Sequence, residues 1–418
     1  MKPVLLSRSD EFGAGRAAYR LHRGLQEIGV DSNMLVQKKI SGDNNVIGIE
    51  GSLTIKLVNF RETFDAWPVK FYSDGSRGMF WPGWFPDRMR SKMAPIKPDV
   101  INLHWVCRGY LQVETLAKFN KPLVWTFHDM WGFTGGCNYS EDCDRYTASC
   151  GNCPQLGSNR DYDLSRWVWQ RKAKAWKNLN LAVVTPSNWM AKLARASSLF
   201  KEARVEVIPN GLDSQVYQPF DRATARKLLK LPQDKQLVLF GASSATSDRR
   251  KGFHLLQPAL QSLSQSGWHD KIELVVFGSS RPSNPPDLGF NSRYLGRLGD
   301  DISLALVYAA ADVFVAPSIQ DNLPNTVVEA IACGTPCVAF KIGGMPDIIE
   351  HQQNGYLAPA YEVEELARGI AWVLENRERH QKLCHRAREK AEQEFSQQLM
   401  ARRYLSLFAE MVAGDRPR

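Results

Sequence analysis

Apolar residues in this chain come in short dense runs, separated by small or polar turns and by stretches in which apolar positions recur every three or four residues. Residues 3–7 predict a first strand, and Asp10-Glu11-Phe12-Gly13-Ala14-Gly15 a turn. The helix that follows carries Ala18, Leu21, His22, Leu25 and Ile28 on one face. Gly29 ends it, and residues 32–37 form the next strand. Further runs at 100–104, 123–128, 181–185, 205–208, 237–240, 272–277, 313–316 and 336–340 are almost wholly apolar. Continuous rather than alternating runs suit strands buried on both faces, as in parallel sheets. Strands alternating with helical patterns predict an α/β chain with doubly wound parallel sheets.

A chain of 418 residues exceeds what one core normally organises. The Pro209-Asn210-Gly211 turn marks a boundary, giving an N-terminal domain over 1–212 and a second over 213–395. Met400, Tyr404, Leu405, Phe408 and Met411 put a helix in the tail, 396–418, expected to pack back toward the N-terminal domain. No run approaches the roughly 20 apolar residues of a membrane span. The first residues read as a strand rather than a signal peptide. The expected location is therefore cytoplasmic. The net charge of +9 suits either an anionic partner or a generally basic surface. Without a Lys/Arg block or a binding motif, nucleic acid is not expected.

Ligands of doubly wound sheets bind beyond the carboxyl ends of the strands. There the sequence places the Gly13 loop, His104, His128, Ser187, 241–244, 278–280 and Pro317-Ser318. Gly13 and Gly15 open a helix whose free amides attract phosphate, or else simply make a tight turn. An Ala at 18 breaks the dinucleotide fingerprint. The most informative segment is Ala316-Pro-Ser-Ile-Gln-Asp321-Asn322-Leu323-Pro-Asn325-Thr326-Val-Val-Glu329-Ala-Ile-Ala-Cys-Gly334-Thr-Pro336. It predicts a strand, an irregular loop, and a helix capped by Asn325 and stopped by Gly334. Asp321 and Glu329 can share one crevice, where carboxylates accept hydrogen bonds from sugar diols while helix-start amides face a diphosphate.

This segment resembles the donor-site signature of the retaining glycosyltransferases of family 4, in a branch with Asp-Asn-Leu-Pro-Asn. Gly343-Gly344-Met-Pro-Asp347, Asn354-Gly355-Tyr-Leu, Ile208-Pro-Asn-Gly211-Leu-Asp213 and Arg249-Arg250-Lys251-Gly-Phe resemble other parts of the same family. The family usually has Glu where Asp321 stands, and an Arg near Ala242 and Ser243. The resemblance implies a GT-B fold, two Rossmann-like domains facing a central cleft, with retaining hexosyl transfer from a nucleoside-diphosphate sugar. It implies that Asp321 contacts the hexose and Glu329 the ribose. The amides near Asn322 and Leu323 would serve the sugar, and those near Asn325 and Thr326 the phosphates. Lys251, with Arg249 or Arg250, would clamp the diphosphate, and His128 would face the donor sugar. His104 would line the acceptor side, together with the Gly13 loop. No catalytic metal is implied. The acceptor would be a saccharide, including a lipid-linked one, in the synthesis of exported or cell-surface polysaccharide. A GT-B sugar-nucleotide epimerase and a non-catalytic sugar-binding subunit of a polysaccharide assembly complex are the alternatives.

Two features lie outside that signature. Cys137, Cys143, Cys150 and Cys153 cluster in one loop and end in a Cys-x-x-Cys knuckle. They suit a structural Zn²⁺, free thiols or redox-active thiols. Residues 67–86 are rich in aromatics, including Trp67, Phe71, Tyr72, Phe80, Trp81, Trp84 and Phe85, with Lys70, Arg77 and Arg88 near them. Such a segment suits an anionic membrane surface, stacking on sugar rings, or a packed insertion. Trp81 and Trp84 are the expected membrane anchors.

Overall fold

The computed structural model describes residues 1–418 except 12, 50–51, 73–78, 242–247 and 415–418. Arg77 and the turn at Ala242 and Ser243 therefore lie outside the described residues. The chain divides into two compact units, Asn210–Gln397 and Met1–Pro209 with Gln398–Arg418. These divisions fall two to three residues from the expected ones.

The first unit holds seven parallel strands: β1 (Pro3–Ser9), β2 (Asn33–Lys38), β3 (Val46–Ile49), β4 (Val100–Leu103), β5 (Leu123–Thr126), β6 (Leu181–Thr185) and β7 (Arg204–Val207). Their order is β3-β2-β1-β4-β5-β6-β7. Alternate residues feed two faces, as the period of a strand requires. Leu5, Val124, Ala182 and Val184 pack under helix α1 (Gly13–Glu27) and the C-terminal helix Gln397–Gly414. Val4, Leu6, Trp125 and Val183 pack on the other side with Trp131, Trp176 and Phe200. Both faces are covered, which is why these runs are continuously apolar.

The second unit holds six parallel strands: β8 (Gln236–Gly241), β9 (Ile272–Phe277), β10 (Ser292–Tyr294), β11 (Val313–Ala316), β12 (Cys337–Phe340) and β13 (Gly355–Ala358). Their order is β10-β9-β8-β11-β12-β13. The Asn354-Gly355-Tyr-Leu segment runs into β13, a strand not anticipated from the sequence. In each sheet the strand order reverses at one place, β1 beside β4 and β8 beside β11. Loops leaving such neighbours in opposite directions open a crevice beyond the strand ends.

Candidate active site

In the second unit, the chain leaves β11 at Ala316, crosses an irregular loop and enters the helix Asn325–Ala332. The N-cap is Pro324 rather than Asn325, which is already the first helical residue. Asn325 Oδ1 instead accepts from Asn210 Nδ2 at 3.3 Å. The helix stops as expected: Gly334 has φ +73°, a value a residue with a Cβ rarely adopts.

Two glycines hold the Asp321 loop in place. Gly252 (φ +73°) lies so close to the loop that a Cβ there would sit 1.7 Å from the Pro317 carbonyl oxygen. On the far side, a Cβ at Gly343 would sit 2.0 Å from the Asp321 carbonyl oxygen. Ile319 N–H donates to the Arg250 carbonyl at 2.8 Å, and Gly344 N–H to that of Asp321 at 3.1 Å. The short helix Arg249–Lys251 is thereby fixed against the loop. Lys251 Nζ donates to Asp321 Oδ2 at 2.7 Å, an ion pair bridging 70 positions of sequence.

Asp321, Asn322, Leu323 and Glu329 are buried, while Asn325 and Thr326 are half-buried. Glu329 is only 2% exposed, and Tyr308 OH donates to its Oε2 at 3.1 Å. Burial, and then the Glu329 charge, hold the Tyr308 hydroxyl well above its ordinary value, so it stays a donor. Arg250 pairs with Asp248 at 2.7 Å, and Arg249 is exposed. The loop thus brings a cation and an acid together, with a second buried acid on the next helix.

In the first unit, α1 begins at Gly13, whose φ of +43° suits glycine. A Cβ at Gly15 would sit 2.5 Å from the Ser9 carbonyl oxygen, so helix and strand can meet only there without a side chain. At the ends of β4 and β5 lies a polar chain that the sequence did not reveal. Asn102 Nδ2 donates to the Val124 carbonyl at 2.9 Å, and also to Thr126 Oγ1 at 3.2 Å. A carbonyl can only accept, which fixes the amide and turns Asn102 Oδ1 toward His104 Nε2 at 2.9 Å. His104 Nε2 must then carry the proton, and its Nδ1 accepts from His128 Nε2 at 2.9 Å. Thr126 Oγ1 is also 2.9 Å from Tyr404 OH on the C-terminal helix.

His104, expected to line the acceptor side, is therefore a buried support for the half-buried His128. Both rings are uncharged. Burial pushes His128 down to about 3, and burial with the neighbouring His128 pushes His104 well below its usual value. His104, His128, Trp105 and Asp129 share a small crevice there.

The cysteine loop keeps its four thiols near one another, Cys137 lying close enough to Cys153, Cys150 and Cys143 to feel their charge. Among the described residues no three His, Cys, Asp or Glu side chains are placed to hold a metal ion. Cys153 and Cys137 pack with Phe80, Leu156 and Val168, whereas Cys150 packs against the Trp125 core. Cys143 Sγ instead faces Arg145 Nη1 at 3.8 Å. All four thiols are free. The loop closes over Lys172, whose Nζ donates to the Trp131 and Thr134 carbonyls and sits 3.9 Å from the Trp131 ring centroid. Burial pushes this ammonium down to about 7.

Comparison with known proteins follows the same two-part division. Residues 13–216 match the family described as Glycosyltransferase Family 4, and residues 221–394 match Glycosyl transferases group 1. The chain is 30% identical over 187 residues to a D-inositol 3-phosphate glycosyltransferase of Segniliparus rotundus, a match spanning 42% of this chain and only 40% of that relative. It is 25% identical over 381 residues to the putative colanic acid biosynthesis glycosyl transferase WcaC of Escherichia coli K12, spanning 86% of this chain and 87% of that one. Among solved structures, sucrose-phosphate synthase from Thermosynechococcus elongatus superposes with a TM-score of 0.72 at 21% identity, over 99% of this chain and 100% of that one. Two parallel Rossmann-like sheets, each matched by its own half of the family, place this chain among the family 4/group 1 glycosyltransferases of GT-B fold.

Proposed function

We propose that the protein transfers a hexosyl group, with retention of anomeric configuration, from a nucleoside-diphosphate sugar to a saccharide acceptor. The observation that carries this reading is the Lys251–Asp321 pair at the carboxyl ends of β8 and β11, with buried Glu329 on the following helix. Asp321 and Glu329 accept hydrogen bonds from hexose and ribose hydroxyls. Lys251, aided by Arg249 or Arg250 and by the amides at the start of Asn325–Ala332, holds the diphosphate. Negative charge grows on that diphosphate as the glycosidic bond breaks. A fixed ammonium beside it stabilises the transition state more than the ground state. In the free chain Lys251 is neutralised by Asp321, so an entering donor replaces one anionic partner with another and separates the two side chains.

His128 is an uncharged ring, which excludes it as a cationic acid at neutral pH. Its Nε2–H is committed to His104. The acceptor we propose is a saccharide, including a lipid-linked one, of polysaccharide synthesis; the likeness to a colanic acid biosynthesis transferase supports the polysaccharide part of this reading.

A panel of nucleotide sugars in a thermal-shift assay, followed by measurement of nucleoside-diphosphate release, tests this reading. A donor at a hundredfold excess over its Kd adds about 2.7 kcal/mol of stability. A panel that neither raises the melting temperature nor yields diphosphate overturns it.

A further inference from the structure

The expected membrane anchors are not the residues the fold leaves exposed. Trp81 and Trp84 are half-buried. Trp84 Nε1 donates to the Phe64 and Asp65 carbonyls at 3.2 and 3.1 Å, and the Trp81 carbonyl accepts from Trp131 Nε1 at 2.7 Å. The exposed apolar side chains belong to the preceding helix α2 (Ser52–Ala66) and the 3₁₀ turn Trp67–Phe71. They are Leu57, Phe60, Phe64, Trp67 and Phe71, the last 73% exposed.

Their spacing of three, four, three and four residues is that of one helical stripe. The rings touch along it: Phe60 and Phe64 have centroids 4.3 Å apart, Trp67 and Phe71 5.3 Å. Val58, Asp65 and Val69, on the opposite side, are buried. Asp65 Oδ1 accepts from Trp84 N–H at 3.0 Å, which ties the inner face of α2 to the domain.

Among the described residues the exposed charge along the stripe has one sign, and the half-buried Asp87 lies near Arg61 and Lys92. The exposed charged side chains of 56–72 are Lys56 and Lys70. Glu62 is neutralised by Arg8, at 2.8 Å, and by Arg108. Arg61 lies 5.2 Å over the Phe85 ring, and the exposed Lys92 lies within reach of its charge. A stable protein partner would need about 800 Å² and 20 or more residues on each side, far beyond five side chains. A second copy would also bring its own cations against these. A bilayer needs only an in-plane helix with Trp, Phe and Leu on one face and Lys or Arg beside it.

We infer that the Leu57–Phe71 stripe docks the protein on an anionic lipid surface, with the aromatic rings in the interfacial layer and Lys56, Lys70 and Lys92 against the headgroups. Among the described residues no helix is long and apolar enough to cross a membrane. The inference does not rest on the donor-site reading, because its test contains no sugar.

The full chain is sedimented with vesicles of phosphatidylcholine alone or with 30% phosphatidylglycerol, a composition set by the experimenter. Binding to the anionic vesicles is expected to exceed binding to the neutral ones at least tenfold, since surface attraction follows lipid charge. It should fall several-fold when salt is raised from 0.1 to 0.5 M, as the Debye length shrinks. Trp67→Ser with Phe71→Ser should lower partitioning at least tenfold, and Lys56→Glu with Lys70→Glu should lower binding to anionic vesicles alone. An unchanged melting temperature certifies that each variant is folded. Equal partitioning of the double aromatic variant and the parent overturns the proposal. So does indifference to lipid charge, or a vesicle-free dimer that the aromatic variant dissociates.

Discussion

Glu329→Gln separates a ligand-binding acid from a structural one. The exchange keeps the shape of the side chain, and the amide oxygen can still accept from Tyr308 OH, 3.1 Å away in the parent. No cavity is made, and Tyr308 keeps an acceptor, so the melting temperature should move by no more than about 2 °C, the scale set by a few tenths of a kcal/mol. What is lost is the negative charge. A hydrogen bond to a charged acceptor contributes about 1.5–3 kcal/mol, against about 0.5–1.5 for a neutral one. If both ribose hydroxyls donate to Glu329, about 2–3 kcal/mol is lost and the variant should bind donor about 30- to 150-fold more weakly, at 1.36 kcal/mol per factor of ten. The assay is calorimetric titration with the nucleoside diphosphate alone and with the complete nucleotide sugar. A ribose contact weakens both equally. Asp321→Ala, acting on the hexose, should weaken the complete donor far more than the bare diphosphate, and Asp321→Glu should recover part of the loss. Donor affinity within twofold of the parent in a folded Glu329→Gln chain would refute the assignment.

Gly252→Ala should act through Lys251: with φ +73° and the Pro317 oxygen 1.7 Å from the new methyl, the turn must move, costing about 2 kcal/mol or more of stability and at least tenfold in donor KM. Both are read by denaturant melts and initial rates, and a silent substitution contradicts the packing described. Tyr404→Phe should cost about 1 kcal/mol and Thr126→Val more, since it also removes an acceptor of Asn102 Nδ2; the double variant should cost little more than Thr126→Val, because the shared bond is lost only once, and strict additivity in urea titrations would show that bond to be idle. Stability should also fall on mild acidification. His22, pushed by burial to about 4, and His104 and His128 stay neutral in the fold, while the unfolded chain protonates each near 6.5. The unfolded state therefore binds more protons below about pH 6.5, and stability present above that pH is lost as pH falls. Each ring accounts for about 1.4 kcal/mol between pH 7.5 and 5.5, about 4 kcal/mol for the three. A flat urea midpoint across this window would exclude neutral burial.

For a physical reason, interior strands were legible in the sequence and three of the four edge strands were not, β7 being the edge strand that was read. β1, β4, β5, β6, β8, β9, β11 and β12 have neighbours on both sides and helices or cores on both faces, which demands unbroken apolar runs. The three strands not anticipated, β3, β10 and β13, are all at sheet edges. Ser292-Arg293-Tyr294 carries no fully buried side chain, and both β3 and β13 contain a glycine. At the site, Asp321 and Glu329 could be read because one contiguous segment holds both. Lys251 could be named from its Arg-Arg-Lys-Gly run, but its 2.7 Å bond to Asp321 needed the fold. The Tyr404–Thr126–Asn102–His104–His128 chain joins residues up to 278 positions apart, and no local pattern announces it. Nor does local spacing reveal where a thiol packs. The cysteine loop reads as a metal knuckle from spacing alone; only the fold shows Cys137 and Cys153 packed on one apolar cluster, Cys150 on another, and all four near one another.

The chain leaves the first unit at 209 and returns to it at 398, and the two crossings are hydrogen-bonded side by side: Leu212 N–H donates to the Phe395 carbonyl, and Gln397 N–H to that of Leu212, both at 2.9 Å. Vectorial synthesis therefore meets the parts in an awkward order. When residue 209 emerges from a ribosome, the face of the first sheet formed by Leu5, Val124 and Val184 still lacks Met400, Tyr404 and Phe408, and it must wait for nearly 190 more residues. The inserted unit has all its own strands in one stretch and can close first. Nascent chains stalled at 209 should thus be protease-sensitive and chaperone-bound, whereas 210–397 made alone should fold. A stop codon just before Met400 should damage the half of the protein farthest from it in sequence.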